Sequence, residues 1–294
     1  MADNNSSKGK HISEKTVNFG GLSKEYSGKD ARIVVIPVPY DKTSTWIKGA
    51  DRGPSAILEA SANMELYDVE TESEIYLQGI FTDDAITEDE TPEKMVKAVE
   101  EKVKKHLKNN KFVVLLGGEH SISIGSFYAH AERFNNLTIL QLDAHSDTRE
   151  EYHGTKNNHA CVMARAREKC DIVQVGIRSL DSEEKINKEN MFFAKDIYDN
   201  ERWMDRAISK LKENVYLTID LDALDPSIMP STGTPEPGGM AWYQTIKFLK
   251  KVIQERNLVG LDVVELCPNK NNKAPDFLTA KLIYTLLSYK FGKS

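Results

Sequence analysis

Leu137-Thr-Ile-Leu-Gln-Leu142 is an apolar run closed by Asp143-Ala144-His145-Ser146-Asp147, and the reading of this stretch decides the fold. Its length and apolar character match a buried strand. An extended backbone alternates its side chains between faces, so Asp143, His145 and Asp147 are expected to point the same way. Two carboxylates and an imidazole converging at a strand end make half of a metal site. Two further runs supply the other half: Phe112–Leu116 and two glycines lead to His120, and Val215–Ile219 leads to Asp220-Leu221-Asp222. An aspartate or histidine after a strand also serves as a helix cap or turn former, so no single cluster decides the matter. All three together favour metal, because carboxylates packed this closely repel one another unless cations neutralise them.

Outward from this stretch, short apolar runs alternate with helical patterns from Ala31 onward. Strands are predicted over Arg32–Val38, Phe112–Leu116, Leu137–Leu142, Ile172–Gly176, Val215–Ile219 and Leu258–Val264. Helices are predicted over Pro54–Leu66, Glu93–Lys108, Ile122–Arg133, Asp196–Lys212, Trp242–Gln254 and Pro275–Leu287. The alternation implies an α/β fold of three layers, αβα, with a mainly parallel central sheet. Residues 1–30, rich in Ser, Asn, Lys and Gly, read as a polar N-terminal extension, and 31–294 as one domain. In such a sheet ligands bind beyond the carboxyl ends of the strands, where His120, Asp143, Asp220 and Glu265 all fall. The Gly- and Pro-dense segments 49–54 and 231–239 are expected to be ordered loops over the mouth of that site.

A chain of 294 residues with 40% hydrophobic content can fill one large core. Its formal charge of −6 argues against nonspecific nucleic-acid binding. The basic run from Lys102 to Lys111 reads as the solvated face of a helix. Three cysteines, Cys161, Cys170 and Cys267, fit neither a disulfide framework nor a zinc motif. Their expected role is packing. The N-terminus lacks the apolar centre of a signal peptide and no run reaches membrane-spanning length, so a cytoplasmic location is expected. Gly117-Gly118-Glu119-His120 lacks the Gly-Lys-Ser/Thr of a phosphate loop. Ser121-Ile-Ser123-Ile-Gly125 lacks the leading glycine of a nucleophile elbow. Ser123 reads instead as the start of a helix.

Four ordered blocks carry a resemblance. Gly117-Gly118-Glu119-His120-Ser121, Asp143-Ala144-His145-Ser146-Asp147, Asp220-Leu221-Asp222-Ala223-Leu224-Asp225-Pro226 and Gly260-Leu261-Asp262-Val263-Val264-Glu265 resemble the signature blocks of the ureohydrolase family. That family holds arginases, agmatinases and formimidoylglutamases, and the resemblance runs from about Ala31 to about Tyr289. It implies an arginase-like catalytic domain, two Mn²⁺ per chain, and attack of a metal-bridging hydroxide on a guanidinium carbon. One ion would take His120, Asp143, Asp147 and Asp220; the other would take Asp143, His145, Asp220 and Asp222. Hard oxygen ligands with two imidazoles suit Mn²⁺, although zinc, nickel and iron accept them too. The resemblance also implies trimers or hexamers.

The same resemblance assigns the remaining roles. Asp147 would hold the nucleophile, Glu265 the guanidinium, and His159 would shuttle protons near the pocket mouth. His153, in the same loop, is the rival for that role. Where arginases carry an asparagine that holds the substrate carboxylate, this chain has Arg149, in a loop resembling the agmatinase version. Asn157 and Asp181 follow the arginase pattern, but agmatine keeps the amine that such an aspartate meets. Glu150 and Glu151 are further candidates for that ammonium, and neighbouring acids are expected to hold Arg149. The expected reaction is agmatine to putrescine plus urea, with arginase, guanidinobutyrase or formimidoylglutamase activity as alternatives. A non-catalytic ligand-binding relative would be expected to lose metal ligands, and none is lost. A zinc-dependent deacetylase on a related fold would show fewer ligands and a catalytic tyrosine.

Overall fold

The computed structural model describes residues 18–184 and 187–292. Eight strands form one sheet: β1 (Ile33–Val38), β2 (Ile80–Thr82), β3 (Phe112–Gly117), β4 (Leu137–Leu142), β5 (Asp171–Ile177), β6 (Met191–Phe193), β7 (Asn214–Asp220) and β8 (Asn257–Val264). Their order is β2-β1-β3-β8-β7-β4-β5-β6, and every paired neighbour runs parallel. Parallel neighbours require crossovers. These carry α1 (Gly53–Ser61), α2 (Pro92–Lys108), α3 (Ser123–Arg133), α4 (Val162–Arg167), α5 (Ala194–Ile197), α6 (Arg202–Ser209) and α7 (Trp242–Glu255), and α8 (Ala274–Phe291) closes the chain.

Burial on both faces explains why the strands read as continuous apolar runs rather than alternating ones. Along β1 the pleat sends Ile33 and Val35 into one core with residues of α1, α7 and α8. Val34 and Ile36 enter the other core, with residues of α2, α3 and α4. The sheet is therefore the middle layer of three, as the alternation predicted.

Departures from the sequence reading have local causes. Strands β2 and β6 span three residues each at the sheet edges, too short to show a pattern. The helix expected over 54–66 ends at Ser61. The one expected over 196–212 divides into α5 and α6. Asn200 interrupts it, its Oδ1 accepting the Arg202 amide at 3.2 Å, because a short amide side chain competes with the helical backbone for hydrogen bonds. Of the N-terminal segment, residues 1–17 lie outside the described residues; Phe19 is fully buried in the core and Leu22 nearly so. No helix among the described residues is long and apolar enough to cross a membrane.

Candidate active site

The four central strands, β3, β8, β7 and β4, are consecutive neighbours, so their carboxyl ends deliver side chains to one place. His120 follows β3, Glu265 follows β8, Asp220 ends β7 with Asp222 just beyond, and Asp143, His145 and Asp147 follow β4. His120 Nδ1 faces Asp143 Oδ2 at 3.2 Å, Asp147 Oδ2 at 3.1 Å and Asp220 Oδ2 at 3.4 Å. His145 Nδ1 lies 2.9 Å from Asp222 Oδ2 and 3.6 Å from Asp143 Oδ1. Asp143 belongs to both clusters. The six residues expected as ligands are thus brought together.

Their convergence does not come from a continued strand. β4 stops at Leu142, and Asp147 has a positive φ of 51°, a conformation that bulky residues seldom adopt. The turn is held from outside: Met163 N donates to the Asp147 carbonyl at 2.9 Å, at the start of α4. Gly176, with φ of 95°, lets β5 approach, since a Cβ there would stand 3.0 Å from the Asp143 carbonyl oxygen. Glu265 also has a positive φ, of 67°, and its Oε1 accepts the His120 amide at 2.8 Å.

His120, His145, Asp147, Asp220, Asp222 and Glu265 line a cavity of about 280 Å³, with Asp143 beneath them, fully buried. His159, Arg149, Asp181 and Glu184 line its walls, with Trp46 and Ile47 at the side. His159 Nδ1 contacts Thr43 Oγ1 at 3.2 Å, and Thr43 Oγ1 donates to the buried Glu119 Oε1 at 2.9 Å. Arg149 Nη2 pairs with Asp181 Oδ2 at 3.2 Å, and its Nε lies 3.8 Å from Glu184 Oε1. The acids expected to hold Arg149, namely Asp147, Glu150 and Glu151, are therefore not its partners; Asp181 and Glu184 are.

Two expected substrate contacts fall elsewhere. Glu150 is exposed and pairs with Arg165 at 3.0 Å. Asn157 turns to Glu93, its Nδ2 donating to Oε1 at 3.2 Å. Neither lines the cavity. The loop after Asp147 coils back on itself, so sequence neighbours point in unrelated directions. His153 is exposed and packs against Tyr152 at 4.2 Å between ring centroids, also off the cavity.

Comparison with known proteins agrees with this arrangement. The sequence model of the arginase family matches residues 31–288. The chain belongs to the arginase family. It is 37% identical over 278 residues to an N(1)-aminopropylagmatine ureohydrolase of Synechocystis sp., with 90% of each chain covered. It is 32% identical to an agmatinase of Bacillus cereus, covering 84% of this chain and 91% of that one. Among solved structures, an agmatine ureohydrolase of Thermoplasma volcanium superposes with a TM-score of 0.83 at 30% identity, covering 95% of both chains. The arginase-like fold expected from the sequence is thereby established.

The electrostatics of this arginase-family site show a demand for cations. Burial would lower the His120 pKa, yet Asp143, Asp147 and Asp220 raise it well above the ordinary value. His145, opposed likewise by burial, is pushed up to about 12 by Asp222 and Asp143. Burial and then Asp143 raise Asp147 to about 7, and burial with Asp222 and Asp143 raises Asp220 well above the carboxylate range. His120 Nδ1 is buried and makes no hydrogen bond, although three carboxylates surround it. Imidazole nitrogens and carboxylate oxygens converging on one point are the donor set a divalent ion takes once it displaces their protons, so the residues present fit such ions.

Several residues that support the site were missed in the sequence. Gln141 Nε2 donates to Asp143 Oδ2 at 2.6 Å, and Gln174 Nε2 donates to Gln141 Oε1 at 2.6 Å. Thr218 Oγ1 meets His120 Nε2 at 2.9 Å and donates to Asp262 Oδ1 at 2.6 Å. Arg178 Nη2 donates to the carbonyls of Asp222 at 2.6 Å and Glu236 at 2.7 Å, fastening the loop 231–239 over the site. One signal could have found Gln141, Thr218 and Asp262. They are polar residues inside otherwise apolar strands, where burial demands a partner.

Proposed function

We propose that this chain hydrolyses agmatine to putrescine and urea, using two Mn²⁺ ions at the carboxyl edge of the sheet. The observation that carries the choice of substrate is the state of Arg149. It is the one guanidinium or ammonium lining the cavity among the described residues, and Asp181 and Glu184 hold it. Apart from the imidazoles of the proposed metal ligands, the other charged groups there are carboxylates, so the carboxylate of arginine would enter poorly paired. The terminal ammonium of agmatine would meet acids instead, with Asp181 proposed as its partner.

His120, Asp143, Asp147 and Asp220 would hold one ion, and Asp143, His145, Asp220 and Asp222 the other. Such ions, when bound, supply deprotonated water near neutral pH. Asp147 would accept a hydrogen bond from the attacking water and fix its direction. Glu265 would accept N–H groups of the guanidinium and hold its central carbon in line. Addition of water to that carbon and cleavage of its bond to the alkyl nitrogen give urea and a departing amine. His159 would carry the proton that this amine needs, with Thr43 and Glu119 holding its ring. A trimer or hexamer is proposed on the family resemblance alone.

A second reading has its own support. Relatives at 37% and 36% identity are named N(1)-aminopropylagmatine ureohydrolases, which favours agmatine extended by an aminopropyl group. Urea release measured with agmatine, N(1)-aminopropylagmatine, arginine, guanidinobutyrate and formimidoylglutamate separates the readings. A kcat/KM for agmatine on the order of 10²-fold or more above arginine is expected, from the usual discrimination against a misplaced polar group. A ratio near unity would overturn the proposal. A clear preference for the aminopropyl compound would establish the second reading. Preference for guanidinobutyrate would mean that Arg149 is released to the substrate.

A further inference from the structure

A second cavity, of about 230 Å³, opens at the opposite end of the sheet, beside the amino ends of β3 and β8 and the last turn of α8. Four cationic side chains line it, Arg32, Lys111, Arg133 and Lys290, and no carboxylate does. Their hydrogen bonds go to neutral oxygens. Lys111 Nζ donates to the carbonyls of Asp30 at 2.9 Å and Ala31 at 2.7 Å, and Lys290 Nζ donates to Asn257 Oδ1 at 2.9 Å. Arg133 Nη2 donates to Asn110 Oδ1 at 3.3 Å, and Arg32 Nη1 to Gln78 Oε1 at 3.4 Å. None of the four forms an ion pair with a described residue.

The chain has 45 acidic residues against 39 lysines and arginines, and many of its cations meet acids, among them Lys104 with Glu100 and Glu132, Lys212 with Asp171, and Lys247 with Glu201; here four cations gather in one hollow that no carboxylate lines. Two of the unmatched cations are also held in place. The Arg32 guanidinium lies 4.6 Å over the Phe291 ring and that of Arg133 lies 5.4 Å over Phe134. Stacking on an aromatic face leaves the N–H edges of a guanidinium available to a ligand. Burial, and then the Arg32 charge, lower the Lys290 pKa, so like charges face one another across a partly desolvated hollow. An anion would relieve that repulsion, and planar forks beside ammonium groups are the usual donors to phosphate.

We propose that this hollow is a binding site for a small phosphate-bearing anion, separate from the candidate active site. The phosphate could come from the free ion or from a nucleotide whose base packs on Phe134 or Phe291, and two probes distinguish these. Calorimetric titration of the metal-loaded full chain with inorganic phosphate and with adenosine monophosphate, at low ionic strength, should give one site per chain. Tighter binding of the nucleotide assigns the base to the aromatic wall; equal binding assigns the site to the phosphate alone. The double variant Arg133→Gln/Lys290→Gln should bind at least about tenfold more weakly, by the charge-assisted bonds removed, with urea release unchanged. Arg32→Gln, at an exposed position, is a second variant that should weaken binding. No binding of either probe, or binding undiminished in these variants, would overturn the proposal.

Discussion

His120 can hold a metal only if one ring nitrogen carries the proton and the other offers its lone pair in the right direction. The structure provides for this with a buried relay. Asp262 accepts from Tyr216 Oη at 2.8 Å and from Thr218 Oγ1 at 2.6 Å, which leaves the Thr218 oxygen as acceptor for His120 Nε2–H. Nδ1 is then the free donor atom, aimed at the three aspartates. Thr218→Val keeps the shape and deletes the acceptor. It should weaken Mn²⁺ binding by on the order of 10–100-fold, the usual effect of losing such a support, as read by metal titration. Unchanged affinity in a folded variant would remove Thr218 from that role. A second residue-scale expectation separates two histidines. His159 lines the cavity with its ring on Thr43, whereas His153 packs outside on Tyr152. His159→Asn should lower kcat by on the order of 10²–10⁴ with metal content intact, and His153→Asn should change it little. Equal losses at both positions would contradict the assignment. The candidate ligands were legible because each follows an apolar run, which fixes its address. Glu150 and Asn157 were not, because they sit in a coiled loop where direction depends on tertiary contacts such as Arg165 and Glu93.

Strands and helices long enough to show a period were legible; those shaped by single side chains were not. Nothing in the residues Met191–Phe193 distinguishes an edge strand from a loop. The split between α5 and α6 depends on one asparagine. The packing of α3 on β8 shows the same dependence and yields a measurable consequence. His130 on α3 is fully buried, its Nδ1 2.9 Å from the Ser126 carbonyl, and its ring fills the space that a side chain at Gly260 would need. Burial lowers its pKa from 6.5 to about 4. The unfolded chain therefore binds this proton below about pH 6.5, while the folded chain refuses it until pH nears 4. The unfolded state holds more protons across that window, so stability must fall as pH drops through it. The contribution is on the order of 3 kcal/mol once pH is below the folded value. Urea denaturation at pH 7 and at pH 4.5 should show a smaller loss in His130→Gln than in the parent chain. The same loss in both would place the titration elsewhere.

Over the whole molecule, charge is segregated along the strand direction: carboxylates gather at the carboxyl edge of the sheet and unmatched cations at the amino edge. The carboxyl-edge pole was legible in the sequence because parallel topology sends every strand end to one edge. The cationic pole was not, because Arg32, Lys111, Arg133 and Lys290 come from four separate segments with no shared motif. The acidic pole has a thermodynamic consequence for the entire fold. Asp143, Asp220 and Asp222 are nearly inaccessible to water, and the basic side chains paired with them are the imidazoles of His120 and His145. The unfolded chain scatters these ligands across more than a hundred positions, so ions bind the folded state alone and stabilise it by mass action. At a free ion concentration of 100 times Kd, each ion adds about 2.7 kcal/mol. For a chain of this size, one such ion would raise Tm by about 4 °C. Chelation should lower Tm by that order and abolish urea release, and refilling with Mn²⁺ should restore both. Asp143→Ala, which removes the residue shared by both clusters, should hold fewer than two ions and lose most of the Mn²⁺-induced rise. A full rise in Tm with two tightly held ions in that variant would show that Asp143 is not shared between them.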